Sequence, residues 1–234
     1  HMQLYEGSHC GVGGVECMAD ADAVFSICHE IRHEILKVFP NHSVIPVKNP
    51  IDLKVFPYNS KRNKHLLAFV GRLVDYKNIH LIFQAMQKSG KNFNLIVAGD
   101  GEMEKTKQLC KQYHLENQVE FLGWVDNPWH ELQNAGWLIV SSDYEGFSLV
   151  IVEALASGMP VISTPVGIAP EVIIPGQNGY LYPINDSDNL AAVLDYIWEG
   201  QLPCLDSEIC QKSALCYDKD IVLKDFIQKL NSVF

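Results

Sequence analysis

Short apolar runs alternate with helical spacing along most of the 234-residue chain. Six runs rich in β-branched residues predict strands at 66–70, 95–98, 119–122, 138–141, 161–163 and 179–182. Between them, the periodicity predicts helices near 78–88, 102–113, 129–134, 148–157, 170–174 and 188–199. This alternation is typical of an α/β fold in which a doubly wound, Rossmann-like parallel sheet has helices on both faces. Ligands bind such sheets at the carboxyl ends of the strands.

The two ends of the chain follow the pattern less closely. A strand at 23–27, a helix at 29–39 and an extended piece at 44–47 precede two Pro-containing turns, Asn49-Pro50 and Phe56-Pro57. We expect residues 1–50 to be the tail of a preceding domain, 51–64 a linker and 65–200 the α/β domain. Residues 201–234 form a C-terminal helical segment, with helical spacing at 221–233.

Composition and charge exclude several classes of protein. With 47% hydrophobic and 20% charged residues, the chain is globular rather than disordered or fibrous. Eighteen basic against 28 acidic residues give a net charge of −10, which disfavours nucleic acid and anionic membranes as general partners. No apolar run is long enough for a membrane span. Seven scattered cysteines support neither a zinc site nor a disulfide framework, so we expect a cytoplasmic protein. The first two residues, His-Met, are typical of a cloning scar.

Residues 145–160 are the most informative segment. Ser148 is a candidate N-cap, and Gly158 with Pro160 would end the helix. Within this helix Glu153 is the one charged residue among apolar neighbours. An ionised carboxylate in such surroundings is unfavourable unless a group binds it. Either Glu153 is neutral or capped by a backbone amide, or it binds a ligand.

The residues just before this helix favour a ligand. Glu145 adds a second carboxylate, and Gly146 allows close approach to the backbone. Free amides at the start of a helix suit a phosphate group. The amides in question belong to Phe147, Ser148 and Leu149. Amides for an anion and carboxylates for hydroxyl groups together fit a sugar joined to a nucleoside diphosphate.

A pair of cations follows the first strand of the predicted sheet. Arg72 can make a forked contact to phosphate and Lys77 a point contact, although such a pair is often only a solvated loop. The glycines at 99–101 lack the third glycine of a dinucleotide fingerprint, and two acidic residues follow them, so an NAD enzyme is disfavoured. The glycines at 11–14 are interpreted as a flexible loop, and the tryptophans at 124, 129 and 137 as core or cleft lining.

These motifs together resemble the retaining glycosyltransferases of family 4, which have the GT-B fold of two facing Rossmann-like domains. The resemblance covers about residues 20–200 and makes this chain the C-terminal, donor-binding half. It implies that Glu145 binds the donor sugar and Glu153 the ribose, and that Arg72 and Lys77 hold the diphosphate. Residues 121–126 match the strand and turn that meet the base, which makes Val125 the candidate contact.

Within the family the chain is most similar to bacterial lipopolysaccharide-core 1,6-galactosyltransferases, on residues 123–124, 128–129 and 179–182. This likeness places His9 near the reaction centre and implies a UDP-sugar donor, a saccharide or glycolipid acceptor and front-face transfer without a metal or other cofactor. Peripheral association of the full-length enzyme with the inner face of the membrane is left open. Residues 48–52 depart from the family's usual linker sequence. By this resemblance we expect the sequence to lack most of the acceptor domain and the fragment alone to be inactive.

Three other functions stay open on the sequence. The same fold could serve a sugar-nucleotide epimerase, which would need further acid and base groups near the sugar. The chain could also be a non-catalytic module that binds nucleotide sugars, or an interaction domain without a ligand. Binding of UDP, GDP or ADP separates the ligand-binding functions from the interaction domain.

Overall fold

A six-stranded parallel sheet forms the centre of the protein. The structure, a computed structural model, describes residues 18, 20–202 and 205–233. The strand order is β5-β4-β3-β6-β7-β8, and all neighbours are parallel. The strands are β3 (Asn63–Val70), β4 (Asn94–Ala98), β5 (Val119–Gly123), β6 (Ala135–Val140), β7 (Val161–Ser163) and β8 (Gly179–Leu181). The predicted α/β sheet and its six strands are therefore confirmed.

Helices cover both faces of this sheet, as in a doubly wound fold. Alternate residues of one strand point to opposite faces, so Leu138 belongs to one buried apolar cluster and Ile139 to the other. The first cluster includes α4 (Leu149–Ala156), α5 (Ala169–Val172) and α7 (Ser207–Ala214). The second includes α2 (Ile79–Ser89), α3 (Met103–Gln112) and α6 (Ser187–Glu199). Short 3₁₀ helices lie at Leu53–Val55, Asp75–Lys77 and Leu215–Tyr217.

The first described elements form a second, two-stranded sheet. Strands β1 (Val24–Ser26) and β2 (Val44–Pro46) pair in parallel, and α1 (His29–Val38) connects them. The start of α1 contacts helix α5 and the loop before it, because the amide of His29 donates to Glu171 at 2.6 Å and that of Gly167 donates to Glu30 at 3.2 Å. The division of the chain into domains at residues 50, 64 and 200 stays a prediction.

One expectation about the helices is wrong. Residues 129–134 form consecutive turns instead of a helix, and they lead directly into β6. Helix α7 lies in the segment 201–234 that was expected to be helical, but the sequence did not predict it as a separate helix, because it is largely polar and of its residues only Cys210 and Ala214 are buried. The C-terminal helix is present as α8, which spans Lys219–Asn231. In the part of the chain that the structure describes, no helix has the length and apolar character needed to cross a membrane.

Candidate functional site

A cleft of about 480 Å³ lies at the carboxyl edge of the sheet. Its walls are the ends of β3 and β4 with the residues that follow them, the loop 124–129 after β5, the linker residues Val55 and Phe56, and Glu153 from α4. The position agrees with the rule that open α/β sheets bind ligands beyond the carboxyl ends of their strands. Arg72, Val125 and Glu153, which the sequence predicted as site residues, all line this cleft.

Glycine residues bring the loops after β3 and β4 into contact at the floor of the cleft. Gly99 has a φ of +145°, and a Cβ atom there would lie 1.9 Å from the carbonyl oxygen of Gly71. Gly101 faces Leu73 in the same way, at 2.7 Å from its carbonyl oxygen. The glycines at 99–101 are therefore required for packing between two loops.

Glu153 is half-buried at the edge of the cleft. Burial raises the pKa of its carboxyl above the usual range, and a hydrogen bond from the Trp129 side chain offsets part of that rise. Trp129 itself is only 3% exposed and meets the edge of Phe56 with ring centroids 6.1 Å apart. In this structure the partner of this acid is the Trp129 indole, which is neither the backbone amide nor the ligand that the sequence suggested, and the carboxylate has further acceptor capacity toward the cleft.

Arg72 supplies positive charge to the same cleft. Its guanidinium donates to the hydroxyl of Tyr76 at 2.9 Å, so the side chain is anchored at one end. Among the residues that the structure describes, no carboxylate lies within ion-pair distance of Arg72. Its remaining donors are available to an anion.

Lys77 and Glu145 form an ion pair beside the cleft. The Lys77 ammonium lies 2.5 Å from Glu145 Oε1, and the hydroxyl of Ser142 donates to the same oxygen at 2.8 Å. Both side chains are shielded, at 15% and 9% exposure. Neither lines the cleft, although Lys77 lies over Gly71 on its floor. Lys77 was expected to bind the diphosphate and Glu145 the donor sugar. In this structure the charges of these two residues neutralise each other.

The loop before α4 differs from the prediction in one respect. Ser148 does not cap the helix: its backbone is left-handed, at φ 71° and ψ 69°, and its buried hydroxyl has no hydrogen-bond partner. N-cap residues need extended backbone to direct a side-chain oxygen at the free amides, which explains the difference. Gly146, Phe147 and Leu149 lie with Ser148 beside Glu145 rather than in the wall of the cleft. The carbonyl of Phe147 accepts from Ile168, which fixes the loop.

Some site residues lie outside the prediction or outside the described chain. His9 and the glycines at 11–14 precede the described residues, so their predicted roles stay predictions. Val55 and Phe56 were predicted only as part of a linker, and the Phe56-Pro57 turn was the one signal that the chain bends there. Trp124 and Asp126 line the cleft just after β5, within or beside the turn that the sequence matched, and Trp124 was predicted as core or cleft lining.

Sequence comparison places this geometry in a known family. A model of the family "Glycosyl transferases group 1" matches residues 51–213, well over half of the chain. The chain belongs to this family. The match includes all of the cleft, and it confirms the predicted resemblance to glycosyltransferases.

Individual relatives of the family agree with this membership. N-acetyl-alpha-D-glucosaminyl L-malate synthase of Bacillus anthracis is 32% identical over 187 residues, which cover 73% of this chain and 49% of that protein. Lipopolysaccharide 1,6-galactosyltransferase of Salmonella typhimurium is 27% identical over 198 residues, covering 80% and 55%. The chain therefore spans about half the length of the curated relatives it matches.

Solved structures confirm the Rossmann-like α/β fold, which the chain shares with GT-B glycosyltransferases. The lipopolysaccharide outer core galactosyltransferase WaaB superposes with a TM-score of 0.83 at 25% identity, over 94% of this chain and 65% of that one. Anabaena HepE in complex with UDP superposes with a TM-score of 0.84 at 20% identity, over 94% and 66%.

Proposed function

We propose that this chain is the donor-binding half of a retaining glycosyltransferase and that its cleft binds a nucleoside diphosphate hexose, with UDP as the nucleotide. The observation that carries the proposal is the meeting of Arg72 and Glu153 in one cleft of about 480 Å³ at the carboxyl edge of the sheet. That volume is within the range of small-ligand sites. UDP is favoured as the nucleotide because Anabaena HepE, a protein of similar fold, has a solved structure in complex with UDP.

Each charged group has a role that its position supports. Arg72, without a carboxylate partner among the described residues, makes forked bonds to the diphosphate. Glu153 accepts from the hydroxyl groups of the ribose, and the backbone at Val125 contacts the base. When the donor enters, the Lys77–Glu145 pair separates: Lys77 turns to the diphosphate and Glu145 to the hydroxyls of the sugar.

The proposed reaction takes place on one face of the sugar. The C–O bond between the anomeric carbon and the diphosphate breaks, and the acceptor hydroxyl oxygen attacks the same carbon from the same face, with retention. The departing diphosphate accepts the proton that the acceptor loses. Arg72 and Lys77 stabilise the charge that develops on the diphosphate, so the scheme uses no metal or other cofactor.

The acceptor requires the other half of the enzyme. A saccharide or glycolipid such as a lipopolysaccharide core is proposed, because the Salmonella relative is named for that chemistry. We also propose that His9 lies near the reaction centre. The full-length enzyme is proposed to be cytoplasmic and attached to the inner face of the membrane. Transfer is expected only from the full-length protein.

Calorimetry with UDP, GDP and ADP tests the proposal on this chain. Micromolar to millimolar binding of UDP is expected, and Arg72→Ala should weaken it by about 10- to 150-fold, because a charge-assisted hydrogen bond contributes roughly 1.5–3 kcal/mol. Arg32→Ala, which alters an exposed arginine on α1, is the matched control and should leave affinity unchanged. Absence of binding by all three nucleotides, or equal affinity of the Arg72 variant and wild type, would refute the proposal.

A further inference from the structure

The short turn that carries Lys77 is held by the loop that follows strand β6. This turn, Asp75–Lys77, is a three-residue 3₁₀ helix, which has few hydrogen bonds of its own, so its geometry depends on its neighbours. The carbonyl of Lys77 accepts from the hydroxyl of Ser141 at 2.7 Å. The carbonyl of Tyr76 accepts from the amide of Asp143 at 2.9 Å. These bonds fix the main chain of the turn, while the Lys77 side chain can change its partner.

Asp143 also holds the residue that follows the turn. Asn78 has a left-handed backbone, with φ 50° and ψ 40°, and is only 6% exposed. It precedes helix α2, but its side chain does not cap that helix. Instead, its amide group donates to Asp143 Oδ1 at 2.6 Å and to Asn185 Oδ1 at 3.3 Å. A carboxylate can only accept, so the shorter bond joins Asn78 to the loop after β6 in one orientation.

Both cations of the proposed diphosphate site depend on this turn. Lys77 belongs to it, and its ammonium lies 5.7 Å from the centre of the Tyr76 ring. Arg72 precedes the turn, but its guanidinium donates to the hydroxyl of Tyr76 at 2.9 Å. A shift of the turn would therefore move Lys77 and remove the anchor of Arg72 at the same time. Asp143 is not in the walls of the cleft, so its effect on a ligand there passes through these residues.

We infer that Asp143 is a positioning residue, whose hydrogen bond to Asn78 keeps both cations directed at the diphosphate of the donor. This inference rests on the proposed function. The cause is the hydrogen bond rather than the charge, because a carboxylate near two cations would by itself oppose an anionic ligand. Asn185 does not replace Asp143 as the acceptor, since its bond is longer and its side chain is exposed.

Substitutions at both ends of this bond separate the hydrogen bond from the charge. Asp143→Ala removes the acceptor and should weaken UDP binding by about 3- to 10-fold, because loss of one hydrogen bond shifts the turn toward conformations that do not bind. Asn78→Gly keeps the left-handed backbone, removes the donor and should weaken UDP to the same extent. The double variant should be no weaker than either single one. Asp143→Asn keeps an acceptor oxygen without the charge and should stay within about twofold of wild type.

Asp195→Ala is the matched control. Asp195 is partly buried, as Asp143 is, and accepts from the hydroxyl of Ser89 at 2.6 Å, in a bond between α2 and α6 that does not involve the turn. This substitution should leave the affinity for UDP unchanged. Urea unfolding of every variant gives its folded fraction, so the affinities compare folded molecules. If Asp143→Ala does not fold, Asn78→Gly and Asp143→Asn provide the same comparison.

Calorimetry of these proteins with UDP and pyrophosphate decides the inference. Similar weakening of both ligands in Asp143→Ala, with wild-type affinity in Asp143→Asn, supports positioning, because the phosphates are the groups that the two cations bind. Unchanged affinity in Asp143→Ala overturns the inference and leaves the proposed function standing. Equal weakening in Asp143→Asn would make the charge the cause, and additive losses in the double variant would separate the two residues; either result overturns the inference. If the wild type binds no nucleotide, the proposed function itself fails, and the inference fails with it.

Discussion

The Lys77–Glu145 pair allows a sharp test of how the charges beside the cleft are balanced. The two charged atoms are 2.5 Å apart, and both side chains are shielded from solvent. At an effective dielectric of about 20, the Coulomb attraction at this distance is roughly 7 kcal/mol, and desolvation of both groups opposes it. Among the described residues, Lys77→Met leaves the Glu145 carboxylate with the hydroxyl of Ser142 as its hydrogen-bond partner. Removal of one member of such a pair costs about 3–5 kcal/mol of stability.

In a double-mutant cycle, the effect of Glu145→Gln on the free energy of unfolding should change sign when Lys77 is also replaced. In wild type, Glu145→Gln removes the charge that balances Lys77 and should lower the free energy of unfolding by about 1–3 kcal/mol. In the Lys77→Met background the same substitution removes an unpaired buried charge, so it should raise stability. Urea unfolding followed by circular dichroism at pH 7 measures all four proteins.

The exposed pair of Lys212 and Glu208 on α7 is the matched control. Its charged atoms are 2.7 Å apart, but the side chains are 64% and 61% exposed, so no coupling should be resolved. The reasoning is refuted if Glu145→Gln destabilises the Lys77→Met protein as much as it destabilises the wild type.

Three further predictions concern the cleft and the cysteines. Glu153→Gln should raise stability by roughly 0.5–2 kcal/mol at pH 7, because burial raises the pKa of the native carboxyl and its ionised form opposes folding. The gain should disappear below about pH 4, where the carboxyl is protonated in both states; a gain that persists in thermal melts there would contradict the cause. Gly99→Ala should lose about 3 kcal/mol or more in urea unfolding, since its Cβ would meet the oxygen of Gly71 at 1.9 Å. Gly90→Ala, with open space around it, should lose only about 1–2 kcal/mol, and equal losses would refute the steric argument. Of the described cysteines, only Cys216 should react rapidly with iodoacetamide at pH 8 in peptide mapping, because burial raises the pKa of the other three thiols; faster labelling of any of those three would contradict this.

The sheet was predictable because its strands are apolar runs between helices. Every residue of β6 is buried, so the run at its centre has no polar interruption. Helix α7 gave no comparable signal, because one buried cysteine and one buried alanine do not form an apolar stripe. Where burial is continuous, the sequence pattern identifies the element; where a helix meets the core through two small side chains, it does not.

The site was predictable where topology alone decides position. Arg72 and Val125 follow strands of one parallel sheet, so their loops meet at one edge. The pairing of Lys77 with Glu145 depends on how two separate loops direct their side chains. Lys77 ends a 3₁₀ turn just before a left-handed Asn78, a backbone state that the sequence did not reveal. The left-handed conformation of Ser148 was missed for the same reason.

A crystal structure of the protein with UDP tests the central claim most directly. The account predicts that the diphosphate lies against the guanidinium of Arg72 and that ribose hydroxyls donate to the carboxylate of Glu153. UDP bound elsewhere, for example in the cavity of about 300 Å³ around Arg62 at the opposite edge of the sheet, would contradict it.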